Sequence, residues 1–442
     1  MKIFHFLFLI PYFLFSACSV SKQISKQADT ILIQDSAINQ GHIGISIFEP
    51  ATGKYWYDYQ AEKYFVPASN TKLFSLYAGM KYLGDSITGW YFRETRDTIY
   101  IKPNGDPTFL HPDFKNQNFF NSLKATSKKI SLSLKLNDKF ETYGSGWAWN
   151  DYGASYMPER SRFSIYGNVV TFETRGSKLF MIPKYFWKAP YMSEPMIQLL
   201  GRGNKISVSR NKDENKFWFN SADSPFVKDE IPFKTDILWS LQRKLLNDTL
   251  KLLNDTISYD LTLGEGTFKS FKTQPTDTLL KIMMHRSDNF FAEQTLLMAS
   301  NEKLGYMSDR KMIDYLLNND LKDIPQKPRW VDGSGLSRYN LFTPKDFIYI
   351  LQKLKNEFSL ERLKVILPTG GTGTLSSLYK KDSGYIFAKT GTLSNHVALS
   401  GFLITKKNKL LIFSILPGNF ISSATPVRKA IEKFLSNIRQ RY

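Results

Sequence analysis

Three short segments combine residue types that could do acyl chemistry: Ser69-Asn70-Thr71-Lys72, Ser287-Asp288-Asn289 and Lys389-Thr390-Gly391. A lysine three residues after a serine lies on the same face of a helix. The serine hydroxyl would then sit at the positive end of the helix dipole. A desolvated amine beside it could take its proton, which makes Ser69 a candidate nucleophile and Lys72 its base. Ser287 could carry a proton to a leaving amine, and Asn289 could offer its amide to a substrate backbone and to Lys72. Lys389 and Thr390 present a cation and a hydroxyl to a carboxylate. Gly391 would leave a strand edge open for an extended chain to pair alongside. The backbone N–H groups of Ser69 and Thr392 are the natural donors to an oxyanion.

The spacing alone does not select Ser69. Ser-x-x-Lys recurs at Ser19/Lys22, Ser209/Lys212, Ser300/Lys303, Ser308/Lys311 and Ser377/Lys380. Taken singly, Ser287-Asp288-Asn289 reads as a helix-capping turn and Lys389-Thr390-Gly391 as an exposed strand end. Their order and setting carry the argument. Apolar residues at 73, 76, 77, 80 and 83 predict a helix directly after Ser69, stopped near Gly84. Residues 275–285 and 289–299 read as two helices flanking the Ser287 loop. Residues 385–392, 397–405 and 410–416 read as strands, with a basic amphipathic helix over 426–439.

Upstream, Ile43, Ile45 and Ile47 alternate, turn residues follow, and Tyr55, Tyr57 and Tyr59 alternate on return, which predicts a hairpin. Between about 86 and 265 the pattern is largely β, with a helix near 236–252. Helices are then expected at 308–319, 344–356 and 359–367. An early hairpin, a helical middle and late antiparallel strands make an α+β unit, 36–85 with 266–442, split by an inserted β-rich segment at 86–265. The Leu-Leu-Asn-Asp-Thr stretch at 245–249 repeats at 252–256.

With these motifs in place, the chain resembles the class C low-molecular-mass penicillin-binding proteins, the D-alanyl-D-alanine carboxypeptidase/endopeptidase family of the penicillin-binding protein 4 type. Asn104-Gly105-Asp106-Pro107-Thr108, Gly146-Trp147-Ala148-Trp149-Asn150-Asp151, Asp332-Gly333-Ser334-Gly335-Leu336-Ser337-Arg338 and Gly373-Thr374-Leu375 resemble that family's secondary motifs. The resemblance covers nearly everything after residue 40. It implies a penicillin-binding-protein/β-lactamase-like transpeptidase domain, an antiparallel sheet flanked by helices. The first two motifs would be separated by an insertion, here roughly 220 residues, the size of one domain or two small ones. It also implies an acyl-enzyme on Ser69, peptidoglycan stem peptides as substrates, β-lactams as covalent inhibitors and no cofactor. One departure is Tyr156-Met157-Pro158-Glu159-Arg160-Ser161, more charged than the small-residue run the resemblance implies.

Residues 1–18 read as an export signal: Lys2, an apolar run from Ile3 to Phe15, then Ser16-Ala17-Cys18. Phe15-Ser16-Ala17-Cys18 resembles a bacterial lipoprotein processing site, so lipid attachment at Cys18 and a membrane-anchored, periplasmic-side location in the cell envelope are expected. A plain secretory signal is the alternative. Cys18 is the only cysteine, which excludes an intramolecular disulfide. Polar residues 19–35 read as a tether. Net charge is +19, which favours anionic partners; nucleic acid does not suit an exported chain that lacks a basic-aromatic module. The five histidines lack metal-ligand spacing, so no metal is expected. A class A β-lactamase would need a deacylating Glu after Ser-Asp-Asn, and no convincing one is present. The rival to an enzyme is a wall-binding or penicillin-sensing module of the same fold; an esterase built on the same three segments is a further alternative.

Overall fold

A computed structural model of the chain describes residues 20–442 apart from 135–136, 176–177, 188–189, 193–205, 222–225, 237, 253–255 and 261–265. Cys18, the signal-like segment and the middle of the second Leu-Leu-Asn-Asp-Thr copy lie outside the described residues. The chain forms two compact units. One runs up to Tyr77 and takes in Lys281–Ser287 and Tyr315–Tyr442; the other comprises Ala78–Leu280 and Asp288–Asp314.

The first unit is built on a five-stranded antiparallel sheet. Its order is Ile386–Leu393, His396–Ile404, Leu410–Gly418, His42–Glu49 and Lys54–Tyr59. Three late strands thus join the early hairpin, Ile45 opposite Ile415 and Leu399 opposite Ile415 on its other side. One face buries Ile45, Ile47, Leu399, Phe413 and Ile415 against Val427, Ile431, Phe434, Leu435 and Ile438 of the C-terminal helix Ala424–Arg441. Each such side chain contributes about 1.5–3 kcal/mol. Elsewhere in this unit Phe74, on the helix Lys72–Tyr82, packs its ring on Trp330, Phe342 and Phe347. Residues 72–80 are buried without interruption, and only Lys81 near the helix end is exposed.

Residues 20–33 correct one expectation. Rather than a tether, 20–28 is helical and runs into a π-helical turn, Asp29–Ile33. Ile24, Ala28 and Leu32, four residues apart, are fully buried in the same core as the C-terminal helix. Val20, Ile24, Ala28 and Leu32 recur every fourth residue on one face, with Val20, Ile31 and Ile33 partly buried against the same core.

The second unit holds a five-stranded sheet, a three-stranded sheet and the two-stranded hairpin Ile206–Arg210 with Phe217–Ser221. Its core is aromatic: Trp90 stacks on Phe119 and meets Phe109 and Phe163 edge-on. The unit extends beyond 86–265. Lys269–Pro275 pairs antiparallel with Ser86–Glu94, and the helix Asn289–Leu304 sends the amide of Gln294 to the carbonyls of Gly105 and Ser161, 2.6 and 2.7 Å. The charged run at 156–161 is accounted for within this unit. Arg160 bonds Asp309 at 2.6 Å and Glu293 at 3.3 Å, and Glu159 accepts from the N–H and hydroxyl of Thr235. Buried charges persist because they are paired. No helix among the described residues is long and apolar enough to cross a membrane.

Candidate active site

Ala68–Thr71 is one turn of 3-10 helix that passes into the α-helix at Lys72. Ser69 therefore sits just ahead of the α-helix, in a tighter turn than expected. In 3-10 geometry residues i and i+3 eclipse, which stacks Lys72 over Ser69. Nζ of Lys72 lies 2.9 Å from Ser69 Oγ. Ser69 is partly exposed while Lys72 is fully buried. The hydroxyl is thus open to solvent, while the amine beside it is desolvated.

A second loop holds this turn in place. Lys72 Nζ donates to the Ser334 carbonyl, 2.7 Å, and Ser75 Oγ to the Gly333 carbonyl, 2.5 Å. Ala68, before Ser69, has φ +47°, a left-handed conformation that non-glycine residues rarely adopt. Gly335, φ +82°, presses on it so closely that any Cβ there would overlap the Ala68 carbonyl. The loop is organised by Asp332, fully buried, which accepts from Gly335 N–H, Ser337 N–H and the Asn340 amide at 2.8, 2.6 and 2.7 Å.

The strand Ile386–Leu393 forms the outer edge of the sheet and borders the nucleophile turn. A Cβ on Gly391 would stand 2.7 Å from the Pro67 carbonyl oxygen and 3.0 Å from the Ser69 nitrogen. The glycine is therefore required by close approach. Lys389, fully buried, donates to Ser287 Oγ at 2.8 Å and to the Thr390 carbonyl at 2.6 Å. Burial, and secondly the charge of Lys72, push its amine well below the usual lysine range. Ser287 itself has φ +60°. Asn70 ties strand to turn: its amide lies between the Lys389 carbonyl and the Ser400 hydroxyl, both at 2.7 Å, with the NH2 toward the carbonyl.

Within the first unit, then, Ser69 meets Lys72, Ser287 meets Lys389, and Gly391 meets the backbone of Ser69. Thr392 Oγ1 accepts from Arg428 of the C-terminal helix. Asn289 belongs to the second unit, where its amide donates to the Tyr156 carbonyl at 2.9 Å, and Asp288 caps its helix by accepting from Phe291 N–H. Sequence reasoning passed over Asn70, Asp332, Ser334 and Arg428. For the first three the signal was present: Asn70 is inside the Ser-x-x-Lys segment, and Asp332 and Ser334 inside a secondary motif.

A family model matches residues 24–440. The chain belongs to the D-Ala-D-Ala carboxypeptidase 3 (S13) family. It is a serine-type D-Ala-D-Ala carboxypeptidase with an α+β, transpeptidase-like fold. Among S13-like curated proteins it is similar to the penicillin-sensitive carboxypeptidase A of Dictyostelium discoideum, 23% identical over 456 residues, covering 88% of this chain and 85% of the other. The crystal structure of penicillin binding protein 4 from Haemophilus influenzae superposes with TM-score 0.71 at 18% identity, covering 94% of this chain and 99% of that one. A predatory endopeptidase from Bdellovibrio bacteriovorus gives TM-score 0.51 at 16% identity, over 91% and 96%.

Proposed function

We propose that this S13 protein cleaves peptidoglycan stem peptides through an acyl-enzyme on Ser69. The observation that carries the reading is the 2.9 Å contact between Lys72 Nζ and Ser69 Oγ, with the amine buried and anchored on Ser334. Lys72 takes the hydroxyl proton as Oγ bonds to the penultimate D-Ala carbonyl carbon. The N–H groups of Ser69 and Thr392 hold the oxyanion. As the C–N bond breaks, Ser287, held by Lys389, gives its proton to the departing amine and is reprotonated by the proton that Lys72 took from Ser69. Water then cleaves the ester and restores Ser69.

Asn289 offers its amide to the substrate backbone, and Lys389, Thr390 and Gly391 bind along the edge strand. β-Lactams acylate the same hydroxyl and remain, since no deacylating carboxylate was recognisable in the sequence. The names of the relatives support cleavage of D-Ala cross-links as a second activity. Processing of residues 1–18 with lipid on Cys18 would put the enzyme on the periplasmic side of the envelope, with 86–265 as the segment inserted into its transpeptidase-like domain.

The test is labelling with a fluorescent penicillin together with release of free D-Ala from a pentapeptide. Wild type is expected to label and to release D-Ala, and Ser69→Ala to do neither. Labelling that survives the substitution removes Ser69 from the role, and labelling without release makes the protein a binder.

A further inference from the structure

The sequence reading gives the substrate carboxylate to Lys389 and Thr390, but the geometry divides these two differently. On an extended strand alternate side chains face opposite ways, so Thr390 and Thr392 share one face of Ile386–Leu393 and Lys389 and Gly391 the other. The Lys389 amine is engaged by Ser287 Oγ and the Thr390 carbonyl, and its ammonium form is disfavoured by burial and by Lys72. It is a poor permanent cation.

The threonine face has another one. Arg428, half-buried on the helix Ala424–Arg441, sends Nη2 to Thr392 Oγ1. It stands beside Thr390, Val397, Ala398 and Leu399 around a hollow no larger than about one water molecule. Among the described residues no carboxylate neutralises it. Glu432, one turn along the same helix, instead accepts from the Tyr379 N–H. A guanidinium keeps its charge at any working pH and offers a planar fork that matches a carboxylate. With Arg428 donating to its oxygen, the Thr392 hydroxyl keeps its own proton to donate onward.

We propose that Arg428, with the hydroxyls of Thr390 and Thr392, binds the α-carboxylate of the departing D-amino acid, while Lys389 serves to hold Ser287. The proposal rests on Ser69 being the acylated nucleophile, and it adds a substrate-positioning residue from an element that carries none of the chain's motifs.

The experiment compares two peptides on the full-length protein, one ending in D-Ala with a free carboxylate and one ending in D-alaninamide. Penicillin and its methyl ester form a second matched pair, read as the rate of Ser69 acylation. A charge-assisted contact of this kind is worth about 10- to 100-fold. Arg428→Gln is expected to lower kcat/KM, and the acylation rate, by about that factor for the two acids, and to leave the amide and the ester within about twofold of wild type. Arg428→Lys should recover part of the loss. Equal losses on charged and neutral partners, or no loss on the acids, overturn the assignment. If wild type neither releases D-Ala nor labels with penicillin, the nucleophile reading fails first, and that outcome is visible before any Arg428 variant is made.

Discussion

Gly391→Ala isolates the approach of the edge strand to the nucleophile. Gly391 does not adopt positive φ, so alanine is conformationally acceptable there and the effect is purely steric. The new methyl would stand 2.7 Å from the Pro67 oxygen, 3.0 Å from the Ser69 nitrogen and 3.1 Å from the Ala398 Cβ. Ordinary contacts of this type sit at about 3.5 Å. Two of the three neighbours are backbone atoms, in a turn already held by Asn70 and by the Ser334 loop, so the strand must retreat by roughly half an ångström or more. Overpacking of this kind costs about 1–3 kcal/mol. More importantly, the N–H groups of Ser69 and Thr392 move apart, and an oxyanion donor out of place costs about 10²–10³ in rate.

Stopped-flow acylation by a fluorescent penicillin, with thermal melts in parallel, measures both effects. The expected result is a fall of about two orders of magnitude in acylation with a loss of a few degrees in Tm. Gly153→Ala is the control, since nothing lies within 4 Å of its added methyl. Wild-type acylation in Gly391→Ala would refute the claim that this glycine sets the strand-to-nucleophile distance.

Two further substitutions test the support around the site. Asp332→Ala strips the partner from three buried N–H donors and lets the Ser334 carbonyl drift from Lys72; about 3–5 kcal/mol should be lost, with acylation falling even at temperatures where the variant stays folded, as circular dichroism and penicillin labelling would show. Lys389→Met tests the buried amine. Because its folded-state pKa lies below the unfolded 10.5, the unfolded chain holds the extra proton between the two values, so this group makes wild-type stability rise with pH in that window. The Tm difference, Lys389→Met minus wild type, should therefore become more negative as pH is raised toward 10.5; a difference that is flat or moves the other way would mean that burial does not lower this amine's pKa.

Local pattern was enough for much of this molecule. Ile43, Ile45 and Ile47 share the face of their strand that packs on the C-terminal helix, although the other face is buried too, and the helix after Ser69 was legible from the apolar residues at 73, 76, 77 and 80. The three motifs contain the residues that meet in the first unit, Ser69 with Lys72, Ser287 with Lys389, and Gly391 with the Ser69 backbone. Harder were residues 20–33, whose three core contacts are visible only once the C-terminal helix is there to receive them. The second unit's reach into 266–280 and 288–314 escaped for the same reason: strand pairing and buried ion pairs join positions far apart along the chain.

The sequence by itself determined the residue types available for chemistry and the local elements that carry them, because helix and strand periodicity and motif spacing are properties of neighbours. Spacing already paired Lys72 with Ser69; tertiary structure placed the other amine and the arginine. Lys72 lies on Ser69 and Lys389 on Ser287, both amines are dried by burial, and a C-terminal arginine sits beside Thr392. Lys72 and Ser69 are neighbours on one turn, but the Lys389–Ser287 contact joins positions 102 apart and the Arg428–Thr392 contact positions 36 apart, which only the packed chain creates.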